Sequence, residues 1–173
     1  MTEKQEKILR TALRLFSENG YDATSTSSVA KAAGVSEGLI FRHFENKEGL
    51  LKAVLEMGNE NAQELYARAF SGTTPEAKLR GILEMPFKID QEQYHFWKLL
   101  YALKWQTDQY DSTISDPIRG ILLELFEQLG YKDPGAETEV VLLLIDGLAT
   151  AILLRQPAGI QQIRKALLAK YNL

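Results

Sequence analysis

Apolar residues recur along this chain at intervals of three and four, the period of a helix with one buried face. Ile8, Leu9, Ala12, Leu13 and Phe16 set the pattern over residues 2–19, and Gly20 offers the left-handed conformation that ends a helix. Thr24 and Ser25 supply hydroxyls to cap a second helix over 26–33. Gly34 makes the turn, and Ser36 can cap a third helix in which Ile40 and Phe44 face inward, four residues apart. Asn46 can cap a fourth, long helix running to about residue 69. After a break at 72–75, helical spacing resumes over 75–89, 91–107, 116–129, 136–155 and 159–171, with turn-rich loops at 110–115 and 130–135. Alternating runs of β-branched residues are almost missing, so the pattern predicts an all-α chain of about nine helices.

Composition narrows the function. Hydrophobic residues make up 45% of the 173, ordinary for a globular protein and too many for disorder. There is no cysteine, which excludes disulfides and thiolate metal sites and suits the cytoplasm. Residues 1–7 are polar and charged, unlike a secretion signal. The longest apolar run, 140–154, is interrupted by Asp146 and falls short of the roughly 18 residues of a membrane span, so no membrane partner is expected. The only histidines, His43 and His95, lie far apart, and no phosphate-cradling glycine loop or paired carboxylates stand out. The chain therefore does not read as an enzyme, and no cofactor or metal is expected.

The stretch from Ser25 to Lys47 carries the chemistry. A helix-turn-helix needs small residues at its turn, an apolar face behind, and a thin polar face for the major groove. Ala30, Ala33 and Gly34 are small, and Val29, Val35, Ile40 and Phe44 form the apolar face. Ser36, Glu37, Gly38, Leu39, Arg42 and His43 fall outward on the third helix, with Phe41 beside them. Gly38 allows close approach of the backbone, Leu39 can touch a thymine methyl, and Glu37 can accept from a cytosine amino group. Lys47 opens the fourth helix, whose amides also attract a phosphate. Charge does not do this work: up to Leu50, Lys4, Lys7, Arg10, Arg14, Lys31, Arg42 and Lys47 are cancelled by Glu3, Glu6, Glu18, Asp22, Glu37, Glu45 and Glu48. A few well-aimed groups must replace a broad basic stripe.

Over this first third the chain resembles the TetR/AcrR-like family of transcriptional regulators. The resemblance rests on Ala12, Phe16, Gly20, Tyr21, Thr24, Val29, Ala30, Ala33, Gly34, Val35, Ser36, Phe41, His43, Phe44, Lys47, Leu50 and Leu51. It implies a homodimer with a DNA-reading head at 1–47 and a helical effector-binding and dimerisation part at 48–173. It further implies that Thr26 and Ser27 meet phosphate or a base edge. Glu37, Gly38, Leu39, Phe41 and His43 would then face DNA, with Lys47 on a phosphate. Two positions depart from the family's habit: Phe41 stands where Tyr is usual, and Leu39 where Thr is frequent.

The rest of the chain has no motif of that strength. Tyr94, Trp97, Tyr101 and Trp105 fall near one helical face, either as core or interface aromatics or as the wall of a cavity for an apolar or aromatic effector. Met85, Phe87, His95 and Phe126 are further candidates. The run 140–154 is apolar around most of its circumference; with Ala149 and Leu153 there and Ile160, Ile163 and Leu167 on the last helix, a four-helix dimer interface is expected. The function expected is that of a ligand-responsive regulator, a repressor by the resemblance, released from a palindromic operator in double-stranded DNA by a small effector. The alternative is a helical module that binds a small molecule or a protein without reading DNA.

Overall fold

The computed structural model describes residues 1–90, 93–106, 116–155 and 157–173, with the side chains of 60–62, 64, 104–106 and 116–117 left aside. Among the described residues there are nine α-helices, one 3-10 turn and no strand. They are α1 Glu3–Asn19, α2 Thr26–Ala33, α3 Glu37–Phe44, α4 Lys47–Phe70, α5 Pro75–Glu84, α6 Tyr94–Gln106, α7 Asp116–Gln128, α8 Pro134–Arg155 and α9 Ile160–Lys170. Helices α1, α2, α4 and α5 begin where a side chain satisfies their first amides. No helix among them is long and apolar enough to cross a membrane.

The chain divides into two compact units, one made of 1–62 and 90–110, the other of 63–89 and 111–173. In the first, Thr2 and Gln5 form a reciprocal capping box on α1. Ile8, Leu9, Ala12 and Phe16 of α1 are buried against Val29, Ala30, Ala33, Ile40, Leu50, Leu51 and Val54. Leu99 and Leu103 of α6 complete this core, both fully buried. The two hydroxyls before α2 have separate duties. Ser25 accepts from the Ser28 amide at 3.0 Å, whereas Thr24 donates backwards to the Gly20 carbonyl at 2.8 Å and caps nothing. Ser36 holds the cap position of α3, but its hydroxyl makes no capping bond. Asn46 caps α4 as its position predicts, accepting from the Gly49 amide at 2.7 Å. Gly49 passes so near the end of α3 that a Cβ there would lie 2.0 Å from the Phe44 carbonyl oxygen. Only glycine allows that junction.

The second unit is built on Leu79, Ile82, Leu83, Met85, Leu122, Phe126 and Val141, closed by Leu167, Leu168 and Tyr171. The Phe126 ring meets Tyr131 edge-on at 4.8 Å and Tyr171 at 6.2 Å. Burial, then Glu137 and Tyr131, push the Tyr171 hydroxyl up to about 12. Three element boundaries differ from the periodicity by more than one residue. The helix expected over 75–89 stops at Glu84 and continues as a 3-10 turn, Met85–Lys88. Pro86 has no amide to donate and its ring collides with the carbonyl four residues back, so the α-helix cannot pass through it. The helix expected from 91 starts at Tyr94, after Asp90 accepts from the Gln93 amide at 2.9 Å; residues 91, 92 and 107 lie outside the described residues. The helix expected from 136 starts at Pro134, where Asp133 accepts from the Ala136 amide at 3.0 Å and proline suits the first turn.

Candidate DNA interface

α2 and α3 meet at Gly34, whose φ of 68° lies in the left-handed region. The Val35 amide reaches back to the Ala30 carbonyl at 3.0 Å and closes the turn. Val29, Ala33 and Ile40 are fully buried behind it. The opposite face is open: Ser27, Ser36, Gly38 and Arg42 are exposed, as is Phe41. Thr26, Glu37, Leu39, His43 and Lys47 are half-buried. Leu39, expected to face outward, divides its surface, because part of it packs on the core beneath α3.

The half-buried polar groups are held by neighbours. Thr26 donates to Glu37 Oε1 at 2.7 Å, joining two expected DNA contacts across the turn. Lys47 Nζ sits 4.3 Å from the centre of the Tyr21 ring and donates to the Asp22 carbonyl at 3.2 Å. A cation over an aromatic face is attracted by the ring's quadrupole, so Lys47 is oriented before any ligand arrives. Burial first, then Glu48 and Asp22, raise the Tyr21 hydroxyl above its ordinary value, keeping that ring neutral under the ammonium. Gln5 Nε2 lies 3.3 Å from His43 Nδ1. Sequence reasoning missed Gln5 and Asp22 because neither has a signature: each is an ordinary polar residue until the fold places it.

The other expected residues are dispersed. Met85, Phe87 and Phe126 belong to the core of the second unit, with Phe87 only half-buried. Tyr94, Trp97 and Tyr101 lie on α6 in the first unit, Trp97 buried and the tyrosines half-buried. The Trp105 side chain lies outside the described residues. His95 turns to α1: its Nδ1 is 2.7 Å from the hydroxyl of buried Ser17, which itself donates to the Arg14 carbonyl at 2.8 Å. Of the expected interface residues, Ala149, Leu153 and Leu167 are buried by their own chain, and Ile160 and Ile163 are half-buried.

Residues 8–54 match the family described as bacterial regulatory proteins, tetR family. The chain is 43% identical over 84 residues to the HTH-type transcriptional regulator AcrR of Shigella flexneri, covering 47% of this chain and 39% of that one. It therefore spans well under half the length of that curated relative. Its fold is similar to a TetR-like transcriptional regulator from Rhodococcus sp. RHA1, with a TM-score of 0.79, 19% identity and coverage of 96% and 92% of the two chains. It is also similar to AibR in complex with isovaleryl coenzyme A and operator DNA, with a TM-score of 0.74, 21% identity and 97% coverage of each chain.

Proposed function

We propose that this chain, whose residues 8–54 match the tetR family of bacterial regulatory proteins, reads an operator as a homodimer and is released by a small effector. The observation that carries this reading is the open face of α3, on which Ser36, Gly38, Phe41 and Arg42 stand exposed above a fully buried Ile40. Thr26, Ser27, Glu37, Leu39, His43 and Lys47 border that face, and the working head is residues 1–47. The remainder, 48–173, holds the effector and the second copy.

Two heads are needed because one α3 covers a single half-site, and half-sites repeat about every 34 Å along the duplex. Val140, Leu143, Gly147 and Leu154 support the pairing. They share one face of α8, and the three large ones stay 45%, 72% and 67% exposed. A second copy of α8 covers such a stripe by self-complementary contact. Control runs along α4, whose 24 residues span about 36 Å at the usual 1.5 Å rise. An effector that binds one tilt of α4 better than another shifts the population toward it and changes the spacing of the heads. The effector is small and apolar or aromatic.

Selection from random duplexes with the purified chain tests the reading. The expected result is an enriched palindrome bound with an affinity that falls steeply as salt rises. A flat selection with no specific duplex overturns it and leaves the DNA-free binding module.

A further inference from the structure

We infer that Gln5 is a positioning residue that fixes the tautomer of His43, so that the recognition helix offers an Nε2–H donor to a DNA phosphate. This rests on the DNA reading above. Gln5 itself stands before residues 8–54, outside the stretch that matches the family.

Three contacts carry the inference. The Thr2 amide donates to Gln5 Oε1 at 2.8 Å, and the Gln5 amide returns a bond to the Thr2 hydroxyl at 3.3 Å. The capping box therefore decides which end of the Gln5 side chain is oxygen. The remaining end, Nε2, lies 3.3 Å from His43 Nδ1. A primary amide nitrogen donates and never accepts, so Nδ1 must present its lone pair. The single proton of the neutral ring then belongs on Nε2. No described residue bonds Nε2, and it is not among the buried atoms left without a partner, so it meets solvent.

The consequence is chemical. Phosphate oxygens only accept hydrogen bonds. With the proton on Nε2 the imidazole binds one; with the proton on Nδ1 the same ring would turn a lone pair toward it. The start of α1 thus sets the sign of a contact made by α3. Glutamine serves where glutamate, the other common capping-box residue, would not, because a carboxylate would accept from Nδ1 and draw the proton there.

The decisive variant is Gln5→Glu, which keeps the capping box and reverses the demand on His43. Nitrogen NMR of the free protein, labelled at histidine and held in alkaline buffer, reads the tautomer directly. The expected spectrum for His43 has a pyrrole-type Nε2 and a pyridine-type Nδ1 in the natural chain, and a protonated Nδ1 in Gln5→Glu. A protonated Nδ1 in the natural chain, or an unchanged ring in the variant, overturns the inference. The same variant should bind the selected operator about tenfold more weakly, the scale of one hydrogen bond to a charged group. In that background, His43→Gln returns a fixed N–H donor near the position of Nε2 and restores binding. Failure of the rescue means that the loss came from added negative charge, and it overturns the phosphate assignment. If the spectra are as expected but no duplex is bound by either chain, the DNA reading fails and takes the phosphate assignment with it, whereas a wrong spectrum alongside normal operator binding refutes the role of Gln5 alone.

Discussion

Thr26 and Glu37 illustrate what a residue-by-residue reading of the sequence can and cannot deliver. Both are expected to face a duplex, but their 2.7 Å bond across the turn is not legible, because spacing along a helix says nothing of side chains that meet between helices. On the proposed reading, the bond bears on base choice. A carboxylate near phosphates is repelled unless a base donates to it. Cytosine offers its amino group, whereas guanine and thymine turn acceptors toward the groove. With Oε1 held by Thr26, Glu37 presents a single oriented oxygen, Oε2. Thr26→Val should therefore relax the preference at one position of each half-site, on the order of tenfold. Its salt dependence should match that of the natural chain, because no phosphate cation is lost. Binding to a panel of duplexes varied at that position checks this; an unchanged preference means that Glu37 reads nothing. Phe41, by contrast, reads in the sequence only as a neighbour of the outward set, and it is exposed in the structure.

Among the helices, the one the periodicity missed most clearly is the one with the most informative charge. The run over 75–89 keeps its apolar spacing through Pro86, so the pattern reads through a break that the missing proline amide enforces. Glu84 closes α5 at that break and is buried, with Lys88 at 2.9 Å and Arg164 of α9 bonded to its other oxygen. Burial alone would raise the Glu84 carboxyl; hydrogen bonds and charge from Lys88 and Arg164 outweigh it and hold the group below its ordinary 4.5. The folded chain thus favours the ionised form. That contribution is complete above about 4.5 and is lost as pH falls through the lower folded value. Glu84→Gln should cost on the order of 1–2 kcal/mol at neutral pH. That is less than the roughly 3–5 of a fully buried pair, because both cations are partly exposed. It should also flatten the decline in stability below pH 4.5. Urea titrations over an acid series measure both, and parallel acid limbs for the two chains would dismiss the pair. The early start of α8 at Pro134 is written in the sequence as the Asp133 cap and a first-turn proline, but the apolar run that carries the periodicity begins further on.

At the scale of the molecule, average apolarity misleads about which side of a helix is free. The run 140–154 reads as apolar almost all round, yet Val141, Ala149 and Leu153 are covered by their own chain, while Val140, Leu143 and Leu154 are not. The pairing surface is better placed on that uncovered stripe. Leu143→Glu should yield a monomer by light scattering at micromolar concentration, with a melting temperature close to that of the natural chain when both are monomeric, since little of Leu143 is buried. A dimer that survives the change would move the interface elsewhere. The path of the chain carries a consequence for engineering. It enters the first compact unit twice, and the second visit supplies Leu99 and Leu103 beneath α1. The proposed operator-reading segment, cut out at its apparent border and fused to a foreign sensor, would leave Ile8, Ala12 and Phe16 without Leu99 and Leu103. Hybrid regulators made from this chain should therefore take α6 along with the amino-terminal helices, or borrow a sensor whose own helix can roof the same apolar face.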